Sequence, residues 1–370
     1  MLSPEQRLNV GLLDGPRRVR SPIPMFRPPL FRQLVLCFAV AALRLAAAPI
    51  VAEALPPYQP GPAGTGRLVC WGDDGFKPLM KRWTTEYAAL HPGISFHLFL
   101  KGTSTAVGAL YTGTAQIGCF GREIRPLEIV SWHRIFPYDP LGFAVATGGY
   151  NRYNTTNAVA ILVNRDNPLQ HLSLTQLDAI YSRDRLRGAP ERITRWGQLG
   201  LTGAWADRPI DVYGLDENTG TAQFLQARML REGRWQYDIK LPHGAPKKMY
   251  AGSGNDAAQA LIQAIAQDPA AIGLATFRNL APTNKALAVG ETDAGPFVAG
   301  TEQSVVDRSY PLSRLIYIFV NKDPAKPWDP KVHEFLNFIL SREGQAEVAA
   351  DGEFHPLPAS LLAAQRTKLQ

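Results

Sequence analysis

The chain has 370 residues, 45% hydrophobic and 19% charged, the proportions of a globular protein rather than a disordered or fibrous one. Its formal charge of +7 invites a polyanionic partner, but Arg7, Arg17, Arg18, Arg20, Arg27, Arg32 and Arg44 crowd residues 1–54 against only Glu5, Asp14 and Glu53. The remainder carries 32 basic and 29 acidic side chains and no Lys/Arg run with interleaved aromatics, so no nucleic-acid partner is expected.

Residues 1–54 read as a leader, with a possible true start at Met25. Arg27 and Arg32 form a positive region ahead of the apolar run 34–43, and Ala52-Glu53-Ala54 offers small residues for cleavage. Ten apolar residues are too few to cross a bilayer. A periplasmic or extracellular protein is expected, cleaved near Leu55, with an uncleaved anchor as the alternative. Two cysteines follow the leader, Cys70 and Cys119, each at the end of a short apolar run. An oxidising compartment would permit a disulfide between them; two buried free thiols are the other reading.

From residue 66 short strands alternate with amphipathic helices. LVCWG (68–72) predicts a strand, and 78–91 a helix with Leu79, Trp83, Tyr87 and Leu90 on one stripe. ISFHLFL (94–100) is the next strand, followed by a helix from Ser104 through Leu110 and a third strand in AQIGCFG (115–121). Further strands are expected at 158–164, 210–215, 271–277 and 315–321, and helices at 174–182, 221–231, 256–269 and 330–349. The order is α/β, with a doubly wound sheet and room for two cores.

In such sheets ligands sit beyond the C-terminal strand ends, where helix N-termini present unpaired N–H groups and partial positive charge. Three junctions suit that role: Gly72-Asp73-Asp74-Gly75-Phe76, Gly102-Thr103-Ser104-Thr105-Ala106 and Asn218-Thr219-Gly220-Thr221. Ser104 and Thr219 could equally be ordinary helix caps.

Taken together, GDDGFKPLMKRW (72–83), GTSTA (102–106), VNRDNP (163–168), LTQLDAIYSRD (174–184), NTGT (218–221), YPLSRLIYIFVNK (310–322) and LSREGQ (340–345) resemble the phosphate-binding component of bacterial phosphate ABC transporters. The resemblance covers nearly all of 66–360. It implies a two-lobed periplasmic-binding-protein fold with two crossovers and hinge-like closure: lobe one from 66–157 plus 282–365, lobe two from 158–281. It also implies a monomer that delivers phosphate or a related small oxyanion to the membrane subunits of an importer, without catalysis, cofactor or metal.

Carried over by position, the family's ligand contacts fall on Gly75 and Phe76 (backbone N–H), Thr103, Ser104, Arg122, Asn157, Thr219, Gly220 and Thr221. Several positions depart from the pattern. Gly75 replaces a threonine and Gly121 the serine beside Arg122. The family's phosphate-gripping arginine is Leu215. Its aspartate, which accepts the proton of hydrogen phosphate, is Asn157. Asp73, Asp216 and Glu217 add negative charge nearby, either as partners of helix dipoles or for a ligand with a cationic part. Two functions therefore remain, an oxyanion-binding component of an importer and the same fold with a changed ligand or a sensing role. Against an enzyme, the histidines (91, 97, 133, 171, 243, 333, 355) are scattered and no nucleophile elbow is present.

Overall fold

The computed structural model describes residues 55, 57–153, 155–217, 219–240 and 255–370, with side chains from 258 onward in the last stretch. The leader, with its proposed cleavage site and Cys37, lies outside the described residues, as does Asn218.

The first sheet is built by β1 (Gly66–Gly72), β2 (Ile94–Leu100), β3 (Ile117–Phe120), β4 (Leu141–Thr147) and β12 (Leu315–Val320), in the order β2-β1-β3-β12-β4. β1 runs parallel to β2 and β3, whereas β12 is antiparallel to both its neighbours, so the sheet is mixed. Between β1 and β2, α1 (Lys77–Leu90) buries Leu79, Met80, Trp83 and Tyr87 against α9 (Arg342–Asp351) and α8 (Pro330–Ile339). Burial of such side chains is worth about 1.5–3 kcal/mol each. The Trp83 indole N–H is satisfied by the Gly344 carbonyl at 2.8 Å. Leu90, expected on the same stripe, is 48% exposed. The single helix expected over 330–349 is two. Ser341 caps a new start by accepting the Gly344 N–H, and breaks the run at Leu340.

The second core forms around β5 (Val159–Asn164), whose six residues are all buried. A strand covered on both faces reads as an unbroken apolar run, as the first five residues of β5 do before Asn164. It pairs antiparallel with β8 (Ala271–Thr276) and β9 (Asn284–Ala286), and β7 (Asp211–Val212) lies parallel to β8 on the far side. A small sheet of β6 (His171–Ser173), β10 (Ala288–Gly290) and β11 (Phe297–Val298) extends the same core. The helices of this half are α4 (Leu174–Tyr181), α5 (Gly220–Arg228), α6 (Asn255–Gln267) and α7 (Glu302–Val306). Those of the first are α1, α2 (Ser104–Tyr111), α3 (Pro126–His133), α8, α9 and α10 (Ala359–Arg366).

The return to lobe one expected at 282 comes later. β9 and β10 pair with β5 and β6, and Leu287, Val289, Val305, Tyr310 and Leu312 all lie in the second core. Only at Leu315 does the chain rejoin the first sheet. Strands of two or three residues carry no readable period, so nothing in the sequence marked this segment.

Cys70 and Cys119 do lie on adjacent strands, but their register is offset. Cys70 faces Ile117, and Cys119 faces Gly72. Two residues of stagger across one strand spacing separate the Cα atoms by about 8 Å, beyond the reach of a disulfide. Both thiols are free and buried, and burial pushes both well above the ordinary thiol range. A protein starting after residue 54 should titrate two thiols when denatured and react slowly with thiol reagents when native. One disulfide and no thiols in the denatured titration would refute this register.

Candidate functional site

The first two strand-to-helix junctions meet, whereas the strand expected at 210–215 ends at Val212, a loop before the third junction. At the first, the end of β1 is pinned on both sides, since Asp73 donates its N–H to the Cys119 carbonyl (2.9 Å) and Gly72 accepts from the Gly102 N–H (2.8 Å). Gly72 has φ +143°, and a Cβ there would collide with the Cys119 carbonyl oxygen, so only glycine fits. The second junction opens α2 at Thr103 and Ser104, and the third opens α5 at Gly220 and Thr221.

The donors expected to face a ligand are largely spoken for. The Gly75 N–H donates to Asp73 Oδ1 (2.8 Å), and the Phe76 N–H to the Asp73 carbonyl (3.3 Å). Thr103 donates its hydroxyl to Asp73 Oδ2 at 2.7 Å and accepts weakly from the Gly121 N–H at 3.3 Å. Thr219 is a cap: its hydroxyl donates to the Asp216 carbonyl (2.8 Å) and accepts from the Ala222 N–H (3.2 Å). Ser104 is exposed at the start of α2. Gly220 has nothing within 4 Å of where a Cβ would stand.

Two charged or amide candidates are turned to structural work. Arg122 is only 2% exposed, and its guanidinium is bidentate to Glu128 at 2.8 Å and 2.8 Å. Glu128 also accepts the Arg125 N–H at 2.8 Å, so the pair fixes the start of α3. Asn157 closes the loop before β5. Its amide donates to the Arg152 and Thr155 carbonyls (2.9 and 3.3 Å), and its carbonyl accepts the Arg152 N–H (3.0 Å). Aspartate at this place would accept the last bond and forfeit the two donated ones. We therefore expect Asn157→Asp to destabilise the fold by about 1–3 kcal/mol in denaturant titration, and an unchanged midpoint would show the loop does not need the amide. Leu215 packs on the second core.

A second buried cation at these junctions is Arg314, which belongs to none of the three junction motifs. It is 5% exposed at the entry to β12. One Nη donates to the Gly121 carbonyl at 2.5 Å and the other to the Thr221 hydroxyl at 3.2 Å, so one side chain joins the end of the first sheet to the third junction. The guanidinium lies 4.8 Å over the Phe224 ring. Its Nε is buried and has no hydrogen-bond partner among the described residues. Burial lowers the pKa to about 10, with Asp73 and Glu123 pulling it back up, so it stays charged at neutral pH. Charged side chains are seldom buried without a partner or a task. A lone arginine inside the apolar stretch 311–320 was the available signal. Arg125 makes a second link between the halves, to Gln226 (2.9 Å) and Glu232 (3.3 Å).

Gly121 and Asp73 form a matched pair. A Cβ at 121 would strike Asp73 Oδ2 and lie 2.7 Å from the Thr156 hydroxyl, so the missing side chain makes room for the carboxylate. No group of three His, Cys, Asp or Glu among the described residues is arranged to hold a metal ion, and no helix among them is long and apolar enough to cross a membrane.

Residues 59–343 match the PBP superfamily domain. Over 333 residues the chain is 32% identical to the phosphate-binding protein PstS of Pseudomonas aeruginosa, covering 89% of this chain and 96% of that one. Protein SphX of Synechococcus elongatus is 25% identical over 336 residues, 90% of this chain and 87% of its own. Among solved structures, an ABC-type phosphate transport receptor from Vibrio cholerae superposes with a TM-score of 0.52 at 22% identity, over 79% of this chain and all of that one (100%). PstS from Borrelia burgdorferi gives 0.51 at 15% identity, over 79% and 99%. The mixed sheets, the two cores and the extent of these matches place the chain in the PBP superfamily, within the family of the PstS phosphate-binding proteins.

Proposed function

We propose that this protein is an extracytoplasmic solute-binding component that captures phosphate or a related small oxyanion for the membrane subunits of an ABC importer. The observation that carries the reading is Arg314. A buried guanidinium spans the junctions of the two halves, in a chain whose relatives are named for binding phosphate. Arg125 and Glu232 already bridge the halves at 3.3 Å, a contact that hinge-like opening for ligand exchange would break. The role calls for binding and release, with no covalent step and no cofactor.

A specific observation favours a second reading, a changed ligand. Asp73 holds the donors of the first two junctions, and neither Leu215 nor Asn157 can supply what the family pattern expects there. Calorimetric titration with phosphate, arsenate and sulfate decides between them. Saturable heat with phosphate or arsenate supports the oxyanion reading. Absence of heat with all three hands the site to another ligand.

A further inference from the structure

Asp73 stands where the first two junctions would hold an anion. Its two oxygens take the Gly75 N–H and the Thr103 hydroxyl, and each retains capacity to accept once more. A fully deprotonated oxyanion brings only acceptors and negative charge to that edge, and is repelled there. A ligand bearing a cationic donor is attracted instead.

Arg314 is the opposing charge. Its Nη2 donates to the Gly121 carbonyl, and Gly121 is the residue whose missing side chain admits Asp73. More than nine-tenths buried, with its Nε unpartnered among the described residues, it keeps donor capacity beyond the bonds to Gly121 and Thr221. Neither Gly102 nor Gly220 has anything within 4 Å of a Cβ position, so the backbone of both junctions is uncovered on that side.

We propose that the site takes a zwitterionic oxyanion, its anionic group held by Arg314 and Thr221 and a cationic N–H group of the same molecule donating to Asp73. This rests on the oxyanion reading and narrows it to a substrate class. The test titrates wild type and Asp73→Asn with aminomethylphosphonate, methylphosphonate and inorganic phosphate. The first two probes differ in covalent structure by the amine alone, and they are compared at a pH where both phosphonates are dianions and the amine is still protonated. In wild type the amine should raise affinity tenfold or more. In Asp73→Asn that advantage should vanish, whatever the substitution does to the affinity of either probe alone. Equal affinity for the matched pair in wild type, or an amine advantage that survives Asp73→Asn, overturns the proposal and leaves the oxyanion reading standing. Failure of wild type to bind any of the three overturns both. Asparagine still caps the turn. Should that variant fail to fold, Asp73→Ser carries the same comparison.

Discussion

Arg314→Met should weaken binding of the preferred oxyanion about a hundredfold, the upper end of what loss of a charged hydrogen-bond partner costs. Stability should stay level or rise. Methionine fills much of the same volume, and a buried guanidinium with an unpartnered Nε costs desolvation that packing and two neutral acceptors repay only in part. Loss of binding without loss of stability separates a ligand-holding residue from a structural one. Arg314→Lys should fall between, because one ammonium cannot span from the Gly121 carbonyl to the Thr221 hydroxyl as the planar fork does. Calorimetry paired with thermal unfolding reads both quantities. A methionine variant that binds normally would move the cation of the site elsewhere. A variant that only unfolds would make Arg314 a strut between the halves.

Gly72→Ala should be the most damaging small substitution in the first sheet, costing about 4 kcal/mol or more. Two penalties coincide at this position. With φ at +143° an L side chain is strained, and the new Cβ would also sit 2.8 Å from the Cys119 carbonyl carbon and 2.9 Å from its nitrogen. Neither backbone atom can yield, since the Cys119 carbonyl accepts the Asp73 N–H across the strand ends. Gly102→Ala is the control: its φ of +124° imposes similar strain, but nothing lies within 4 Å. It should cost only the strain, about 1–3 kcal/mol. Equal losses from the two substitutions in a denaturant titration would mean that steric closure at the end of β1 contributes nothing.

The junctions were legible, because Gly-rich and Thr/Ser-rich breaks between an apolar run and an amphipathic one mark strand ends and helix starts locally. Which way each side chain turns was not. Arg122 folds back onto Glu128 and Asn157 onto the Arg152 loop, and both decisions depend on neighbours that spacing does not reveal. The sequence shows Asp73 as a charge near the junctions, but its seat there depends on Gly121, far along the chain. Arg314 lay inside a recognised segment. Its role rests on contacts with Gly121 and Thr221, which only the completed fold brings near. Apolar runs mark the strands that carry the two cysteines, but the stagger of two residues that decides between a bridge and free thiols is a matter of register.

The position of β12 bears on how the molecule is made. It is the last strand in the chain, yet it lies between β3 and β4 in the first sheet. Until the residues around 315–320 have left the ribosome, that sheet is split, and the apolar edges of β3 and β4 have no partner. The second half, a continuous stretch of chain, can condense earlier and hold the ends of the first together. Pairings between such distant segments slow folding and lengthen the time for which a chain stays open. The extracytoplasmic role proposed above would gain from that delay, since translocation needs a thread that has not yet closed. C-terminal truncation before β12 should accordingly leave an aggregation-prone remnant with two bare strand edges, rather than a smaller folded domain.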